Sequence, residues 1–287
     1  MRLFADTLNN NRITRYLKKI RNSLLNSYFL GKGATYKSKQ IEELANSPSL
    51  VFCIAFNKPV CIQIMVNCWS TFAKDTVLVV ADNSTDLNCR KEIRKICKTA
   101  DIHYIGLPKN PEWHPNRSHA LAMNWVYYNF VRKMTPKTFG FLDHDCFPFA
   151  EFDLNRKMEN KIIYGEKRIS EKKQSIWSLW AGFCFFKYSF TKDKKLNFTH
   201  SIELGLDTGG SNWSVLYSCL NVADANFANT HNGASFTSSW EFNSIIDHFV
   251  HIGSAAHLIK SKKMAYEDLT KLIHYLNIQM NSFSTAI

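Results

Sequence analysis

Four short runs rich in apolar residues alternate with stretches in which apolar residues recur at helical spacing. The runs cover residues 50–56, 76–81, 101–107 and 139–142. Runs of this length are typical of strands that are buried on both faces of a sheet. The stretches between them predict helices. The first stretch holds Ile62, Met65, Val66 and Trp69. This alternation predicts βαβ units and an α/β fold with a mostly parallel, Rossmann-like sheet flanked by helices.

The fourth run ends at Asp143, and Asp145 follows after a single histidine. Ligands of parallel α/β sheets bind at the carboxyl ends of the strands, where these two side chains are expected. Two carboxylates this close repel each other unless a cation joins them, and their oxygens suit hard ions such as Mg2+ or Mn2+. The pattern predicts a divalent-metal site, although the same residues also suit a polar corner between a strand and a loop.

The second run ends at Asp82, which is expected at the same edge of the sheet. Residues 83–86 have turn-forming side chains, and Asp86 is a candidate N-cap for the next helix. Asp82 instead emerges directly from an apolar strand. A carboxylate in that place can accept hydrogen bonds from a nucleobase or a ribose. Asp82 is therefore a candidate nucleotide-binding residue.

Six segments resemble motifs of GT-A glycosyltransferases of the family 2 type and occur in the same order. They are Val79–Asp86, Asn116–Asn124, Phe141–Asp145, Trp180–Phe186, Leu206–Gly210 and His251–Ser254. Together they span most of residues 50–257, and Phe141–Asp145 is similar to the Asp-x-Asp motif of the family. Ala81 replaces the first Asp of the usual acidic pair, the turn after the third strand lacks its Gly, and Asp207 lacks a preceding Glu.

The resemblance implies an enzyme that moves a sugar from a nucleoside-diphosphate-sugar donor to a saccharide or lipid-linked glycan acceptor, in surface glycan biosynthesis. It also implies Mn2+ or Mg2+ as the cofactor, with Asp145 as the first ligand. Asp143 is expected to reach the metal or the ribose of the donor. A late histidine would complete the metal site, and His251 is preferred over His248 and His257.

Further donor contacts are expected where the backbone favours an anion. Arg117 and His119 open a predicted helix whose first N–H groups attract negative charge, so they are candidates for contact with the pyrophosphate or the donor sugar. Gly253 lets the backbone approach a phosphate closely, which makes Ser254 a further candidate and favours His251 as the ligand.

An inverting transfer also needs a general base that takes the proton of the acceptor hydroxyl. Asp207 is the candidate, because it precedes Gly209 and Gly210 in a turn that could form the rim of a cleft. Glu203 and Asp224 are weaker candidates. A transfer that retains the configuration would need no such base.

Three other classes of site or protein are considered. Zinc would also suit the late histidines, but no thiolate is nearby in the sequence. A nucleotidyltransferase would pair carboxylates with a metal too, although residues 57–59, Asn-Lys-Pro, are a poor phosphate loop. The net charge of +12 is typical of nucleic-acid binders, yet the basic residues are spread along the chain without a recognised motif. We therefore expect no nucleic-acid partner.

The length of 287 residues predicts one enzyme domain with a helical segment at each end. The expected divisions are a basic segment over residues 1–46, the catalytic domain over 47–260, and a helix with a tail over 261–287. In the first segment, Ile13, Leu17, Ile20 and Leu24 form a helical stripe among basic residues. Such a helix lies on an anionic membrane surface or packs on the enzyme.

The remaining signals concern the compartment. No run of 18 apolar residues predicts a transmembrane helix. The N-terminus lacks a secretory pattern, and the eight cysteines form no Cys-x-x-Cys pair. We expect a cytoplasmic protein with reduced cysteines, located in part at the inner face of the membrane.

Overall fold

The computed structural model describes residues 12–33, 42, 44, 45, 47–232, 244–253, 267 and 270–277. The main strands are β1 Ser49–Ala55, β3 Val77–Asp82, β4 His103–Gly106, β5 Thr138–Asp143, β8 Ile163–Ile169, β9 Trp177–Lys187 and β10 Ala225–Phe227. In the described part of the chain they form a seven-stranded sheet with the order β10-β8-β9-β5-β1-β3-β4. The four predicted strands are β1, β3, β4 and β5. They are mutually parallel, whereas β9 runs antiparallel to β5 and β8. The predicted α/β fold with a mostly parallel sheet is confirmed.

Helices connect the parallel strands, as the apolar spacing predicts. They are α2 Pro59–Phe72, α3 Leu87–Thr99 and α4 Pro115–Val126, whereas α1 Arg12–Leu30 precedes β1, α5 Leu154–Lys157 precedes β8 and α6 Tyr188–Thr191 follows β9. Proline opens both α2 and α4, where its missing N–H removes no helical hydrogen bond. The carboxylate of Asp86 accepts hydrogen bonds from the N–H groups of Asn88 and Cys89 at 2.8 Å, which confirms the predicted N-cap of α3.

Several shorter elements complete the chain. Helix α4 continues through a π-helical turn, Tyr127–Val131, and a final turn, Arg132–Met134. Further single turns are the 3-10 segments Gly210–Asn212 and Val222–Asp224 and the π-helical segment Trp213–Tyr217. Residues 270–277 are helical, and Leu272, Ile273 and Leu276 are buried in the core.

A second, antiparallel sheet was not predicted. Its strands are β6 Cys146–Pro148, β11 Thr230–Asn232, β12 Ser244–Ile246 and β13 Phe249–His251, in the order β11-β12-β13-β6. A further pair joins β2 Ala73–Lys74 to β7 Phe152–Asp153. Strand β6 begins directly after Asp145, so the second sheet leaves the main sheet at the predicted metal site.

The core lies on both faces of the main sheet. Along β1, Leu50, Phe52 and Ile54 belong to one apolar layer. The intervening residues of β1 belong to the layer on the other face. Helices α1 and α4 cover the first layer, and α2, α3 and the second sheet cover the other. This burial on both faces explains why the strands are continuous apolar runs.

All eight cysteines are free, and Cys219 is the exposed one. Among the described residues, we find no helix that combines the length and the apolar character needed to cross a bilayer.

Candidate metal and donor site

The carboxyl ends of three neighbouring strands meet at one edge of the main sheet. Ile54 of β1 pairs with Asp143 of β5, and Ala55 pairs with Asp82 of β3, so the three strands end at the same level. A cavity of about 340 Å³ opens at this edge. Its lining comes from the ends of the strands, the start of α4, the middle of β9 and the turn that holds Asp207. Of the predicted site residues, His119, Asp143, Asp145 and Asp207 line this cavity.

Asp143 and Asp145 line this cavity, and His251 clusters with them. One potential ligand atom from each residue lies within 4.8 Å of the others. The distance from Nε2 of His251 to Oδ1 of Asp145 is 3.7 Å. Although His251 is far from the two aspartates in sequence, β13 pairs with β6 and sets His251 opposite Cys146, next to Asp145. The pairing of the second sheet thus delivers the histidine to the carboxylates.

The charge on Asp143 is destabilised in this position. Burial first, and the neighbouring charge of Asp145 second, raise the pKa of Asp143 to about 6. Two buried carboxylates ionise together at neutral pH only at a cost in free energy, which a bound cation would remove. The electrostatics therefore favour a cation between Asp143 and Asp145.

His119 of α4 supports Asp143 from the other side. Its Nδ1 lies 3.3 Å from Oδ1 of Asp143. Burial lowers the pKa of His119 to about 4, although Asp145 and Asp207 act in the opposite direction. The ring is therefore neutral at pH 7 and suits donation of its Nδ1 proton to Asp143. His119 lines the cavity, as its predicted place near the donor requires.

Gly182 of β9 keeps space open beside Asp143. A Cβ atom at this position would lie 2.6 Å from Oδ2 of Asp143 and 2.4 Å from the ring of Trp180. Such approaches are far inside van der Waals contact, so a larger residue would displace the carboxylate. Trp180 in turn packs on His251, with 4.5 Å between the ring centroids. The glycine and the tryptophan together fix the positions of two of the three clustered side chains.

Asp207 lies on the rim of the same cavity, beside Thr208. Its backbone carbonyl accepts a hydrogen bond from the N–H of Gly210, and the intervening Gly209 has a φ of +91°. This left-handed conformation is one that glycine adopts without steric cost. The side chain of Asp207 is exposed, so it can meet a second substrate that enters from solvent.

Asp82 does not line the cavity. Its side chain is buried, and Oδ1 accepts a hydrogen bond from the N–H of Ser84 while Oδ2 accepts one from the hydroxyl of Tyr104. Arg90 lies 3.8 Å from Oδ2. The residue that reaches the cavity from this turn is Asn83. Asp82 thus holds the turn, and its neighbour faces the opening.

Arg117 also points away from the cavity. Its guanidinium binds Glu112 through both carboxylate oxygens, at 3.0 and 3.2 Å. Arg21 of α1 donates to the same carboxylate at 2.8 Å. Burial opposes ionisation of Glu112, but the hydrogen bonds from Arg117 and Arg21 lower its pKa to about 2. Arg117 therefore fixes the loop in front of α4.

The remaining candidate residues near His251 lie outside the cluster or outside the described residues. His248 lies in the turn before β13, where its Nδ1 is 2.6 Å from the carbonyl oxygen of Glu151, and it is not part of the cluster. Ser254 and His257 lie outside the described residues. Gly253 has a φ of +62°, so glycine is favoured in that turn.

Sequence reasoning missed the amides that shape the wall of the cavity next to α4. Asn83 donates to the hydroxyl of Ser118 at 3.0 Å and accepts from Asn110 at 3.0 Å. Asn110 also donates to the carbonyl of Ser118. The signal was an asparagine one residue after an apolar strand and its terminal aspartate, but asparagine is so common in turns that its position alone did not distinguish it.

Comparisons with known proteins add distant likenesses only. No protein-family model and no curated protein matches the chain. Among solved structures, it is similar to S. aureus TarS, with 14% identity, a TM-score of 0.37, and coverage of 54% of this chain and 32% of that one. It is also similar to WbbM, a bifunctional glycosyltransferase, with 13% identity, a TM-score of 0.39, and coverage of 63% and 39%.

A third likeness is to the mannosyltransferase PcManGT from Pyrobaculum calidifontis, solved in complex with GDP-Man and Mn2+. The identity is 12%, the TM-score 0.37, and the coverage 60% of this chain and 55% of that one. The chain thus spans well under two thirds of the length of all three proteins. Likenesses this distant establish neither a family nor an activity for it.

Proposed function

We propose that this protein is a metal-dependent glycosyltransferase that takes a sugar from a nucleoside-diphosphate-sugar. The observation that carries the proposal is the cluster of Asp143, Asp145 and His251 at the carboxyl edge of a parallel sheet, where both aspartates line a cavity. Strand ends of this kind are where α/β folds bind nucleotides. We further propose that the acceptor is a saccharide or a lipid-linked glycan and that the transfer serves the assembly of surface glycans.

The clustered residues fit Mn2+ or Mg2+. Two carboxylates and one imidazole offer hard and borderline donors within 4.8 Å of one another. Gly182 keeps the face of Asp143 clear, so that substrate oxygens have room to complete the coordination. A cation bound there would stabilise the charge of the departing diphosphate. Asp143, Asp145 and His251 would hold that cation, and His119 would keep Asp143 in place.

The cavity offers separate walls for the nucleoside and for the diphosphate. Ile54 and Phe56 supply apolar surface, and Asn83 supplies an amide between them and α4. Asn116 lies in the first turn of α4, where free N–H groups attract a phosphate. For Asp82 and Arg117 we propose positioning roles, because their side chains bind within the protein and set the turn and the loop that present Asn83 and Asn116.

For Asp207 we propose the role of general base. Its carboxylate is exposed at the cavity rim, where an acceptor hydroxyl can approach the sugar from solvent. Removal of the hydroxyl proton would let the oxygen attack the anomeric carbon as the nucleoside diphosphate leaves from the opposite face. A single displacement of this kind inverts the anomeric configuration.

The test is nucleotide binding with and without metal. By calorimetry, UDP or GDP should bind in the presence of Mn2+ and should bind at least tenfold more weakly in EDTA. Asp145→Ala should lose this metal dependence and keep its fold by circular dichroism. Asp193→Ala, which removes an exposed carboxylate outside the cavity, is the matched control and should behave like the wild type.

Two outcomes would contradict the proposal. If nucleotides bind with equal affinity in EDTA and in Mn2+, no metal takes part in their binding. Binding of nucleoside triphosphates together with a sugar phosphate, and release of pyrophosphate, would make the protein a nucleotidyltransferase. Incubation with the matching nucleotide-sugar, followed by detection of the free nucleoside diphosphate, separates these cases.

A further inference from the structure

Helix α1 presents an apolar stripe to solvent. Six of its large apolar residues are exposed, namely Ile13, Tyr16, Leu17, Ile20, Leu24 and Tyr28. At about 100° per residue, these positions fall within about 120° of the helix circumference. Ile13 and Leu24, near the two ends of the stripe, keep 68% and 66% of their surface exposed. The stripe is about 22 Å long, and an apolar surface of this size marks an interaction site.

The opposite face of α1 is what attaches the helix to the protein. Phe29 is fully buried, and Leu25 packs against the same core layer. The side chain of Asn26 accepts a hydrogen bond from Asn124 of α4 at 2.9 Å. The exposed stripe is therefore not the face that holds α1 to the fold, and it is available for something else.

The basic character of α1 favours an anionic occupant for the stripe. Residues 12–30 contain five basic residues and no Asp or Glu, within a chain of net charge +12. Beyond the end of the helix, Lys32 lies over the ring of Tyr28, with its Nζ 4.1 Å from the centroid. A second copy of this chain seated on the stripe would bring basic residues against basic residues, which opposes self-association. An anionic lipid surface complements both the apolar and the basic residues.

An ion pair connects α1 to the segment that leads to the cavity lining. Arg21, on the flank of the stripe, binds Glu112, and the next residue, Trp113, is 80% exposed. Tryptophan with an exposed ring is the side chain most typical of the membrane–water interface. Pro115, two residues further, lines the cavity. One connected segment therefore joins the apolar stripe to the mouth of the donor site.

We propose that Ile13, Tyr16, Leu17, Ile20, Leu24, Tyr28 and Trp113 form a docking surface for an anionic lipid bilayer. Docking on this surface holds the cavity mouth at the bilayer, so the acceptor is a glycan anchored in the membrane. The statement about the acceptor rests on the proposed glycosyltransferase function, whereas the docking surface does not depend on it.

Co-sedimentation with vesicles tests the docking surface without any nucleotide or metal. The wild type should bind vesicles of phosphatidylcholine and phosphatidylglycerol, and should bind pure phosphatidylcholine or high-salt samples more weakly. The double variant Leu17→Gln, Leu24→Gln should lose about tenfold or more in binding. Its control is Leu87→Gln, Val222→Gln, which changes two apolar side chains that are equally exposed elsewhere. Unchanged melting temperatures show that both variants fold.

Trp113 reports whether the loop beside the cavity reaches the lipid. Brominated lipids should quench part of the tryptophan emission of the wild type, and Trp113→Phe should remove that part. Equal vesicle binding by the stripe variant and its control would overturn the docking surface. The docking surface would also be overturned if the wild type does not bind vesicles and instead forms a dimer that the stripe variant does not form. A second copy would then cover the stripe.

The statement about the acceptor has its own readout. On vesicles that contain a glycolipid acceptor, the stripe variant should lose about tenfold or more in transfer, while its Mn2+-dependent nucleotide affinity stays at the wild-type value. Undiminished transfer by that variant would overturn the membrane-anchored acceptor. If the wild type docks on vesicles yet binds no nucleotide with Mn2+, the proposed function fails and the docking surface stands.

Discussion

At Asp143, the ionised side chain that the proposed chemistry needs also destabilises the fold. The fold partly buries its carboxylate beside Asp145, and the pKa of Asp143 rises to about 6. Without a cation, the charged form is therefore disfavoured at neutral pH. Sites that bind cations commonly carry this conflict, because the arrangement that suits the ion is costly when the ion is absent. The conflict can be measured by neutralising the residue.

Asp143→Asn should stabilise the metal-free protein above pH 6. The folded pKa of Asp143 lies above the value of about 3.9 for an unfolded chain, so its protonated form stabilises the fold below pH 4, and that stability is lost as pH rises through 6. Asparagine mimics the protonated form at every pH. In EDTA we expect a gain of about 1–3 kcal/mol at pH 8 and almost none at pH 4, by urea unfolding.

Addition of Mn2+ serves as the control for Asp143→Asn. Mn2+ should raise the melting temperature of the wild type at pH 8 and leave that of Asp143→Asn almost unchanged, because the asparagine is a poor ligand. Equal unfolding free energies of the two proteins in EDTA at pH 8 would show that Asp143 ionises without a cost.

Asp207→Asn should lower kcat for transfer by about 10²–10⁴-fold, which is the usual contribution of a general base. Donor affinity with Mn2+ should stay near the wild-type value, because asparagine keeps the size of the side chain and the turn. Glu203→Gln removes a carboxylate that does not line the cavity and serves as the matched control. A retained anomeric centre in the product, read by NMR, would contradict the assignment even if the variant is inactive.

Site residues could be predicted from the sequence where a carboxylate directly follows apolar strand residues. Asp143 ends an apolar strand and Asp145 follows it, and this pattern indicated the edge of the sheet at which the cavity opens. Asp82 gave the same signal, but its oxygens accept hydrogen bonds from the N–H of Ser84 in the following turn and from the hydroxyl of Tyr104 on β4. Which of two adjacent side chains faces the cavity depends in part on a tertiary partner such as Tyr104, and a single sequence does not identify that partner.

Among the elements, the strands of the main sheet were predictable and those of the second sheet were not. Buried strands of six or seven residues leave a continuous apolar run, as in β1 and β3. Strands β6, β12 and β13 have three residues each, and β13 pairs with β6 across about a hundred residues of chain. A run of three residues is too short to identify a pairing partner from the sequence. The pairing of β13 with β6 is nevertheless what places His251 beside Asp145.

Helix α1 is joined to the loop before α4 by Glu112, which binds both Arg21 and Arg117. The folded pKa of Glu112 lies below its unfolded value, so the stability from this carboxylate is present above about pH 4.3 and is lost as pH falls toward 2. Glu112→Gln should cost about 1–3 kcal/mol at pH 7, because both arginines are partly exposed and solvent limits the effect. The difference from the wild type should shrink at pH 3.

The control for Glu112→Gln is an exposed ion pair of the same type. Glu151 lies 2.6 Å from Lys74, but both side chains are more than half exposed. Glu151→Gln should leave the urea midpoint unchanged within error. Equal effects of the two substitutions would show that the buried position of Glu112 adds nothing.

At the scale of the whole molecule, the candidate metal site is where the two sheets meet. Asp143 ends a strand of the main sheet, Asp145 lies directly before β6, and His251 ends β13. The βαβ alternation predicted the main sheet and its carboxyl edge. It did not predict that the third ligand would come from a separate sheet. The candidate metal site therefore depends on both sheets, and a bound cation would connect them.

Mn2+ should consequently slow amide hydrogen exchange most strongly in β6, β12 and β13. Opening of the second sheet would carry His251 away from Asp145 and break the metal site, so the free energy of metal binding adds to the cost of opening. At a metal concentration of about 100 times Kd, the added cost is about 2.7 kcal/mol, or about 100-fold in exchange rate. Strand β4 lies at the far edge of the main sheet and holds no proposed ligand, so the exchange rates of its amides that exchange by local opening should not change.

His251→Ala should keep the pairing of β13 with β6, which uses backbone groups, but its amides should no longer be slowed by Mn2+. If Mn2+ protects β13 equally in His251→Ala, the histidine is not a ligand and the cation does not connect the two sheets.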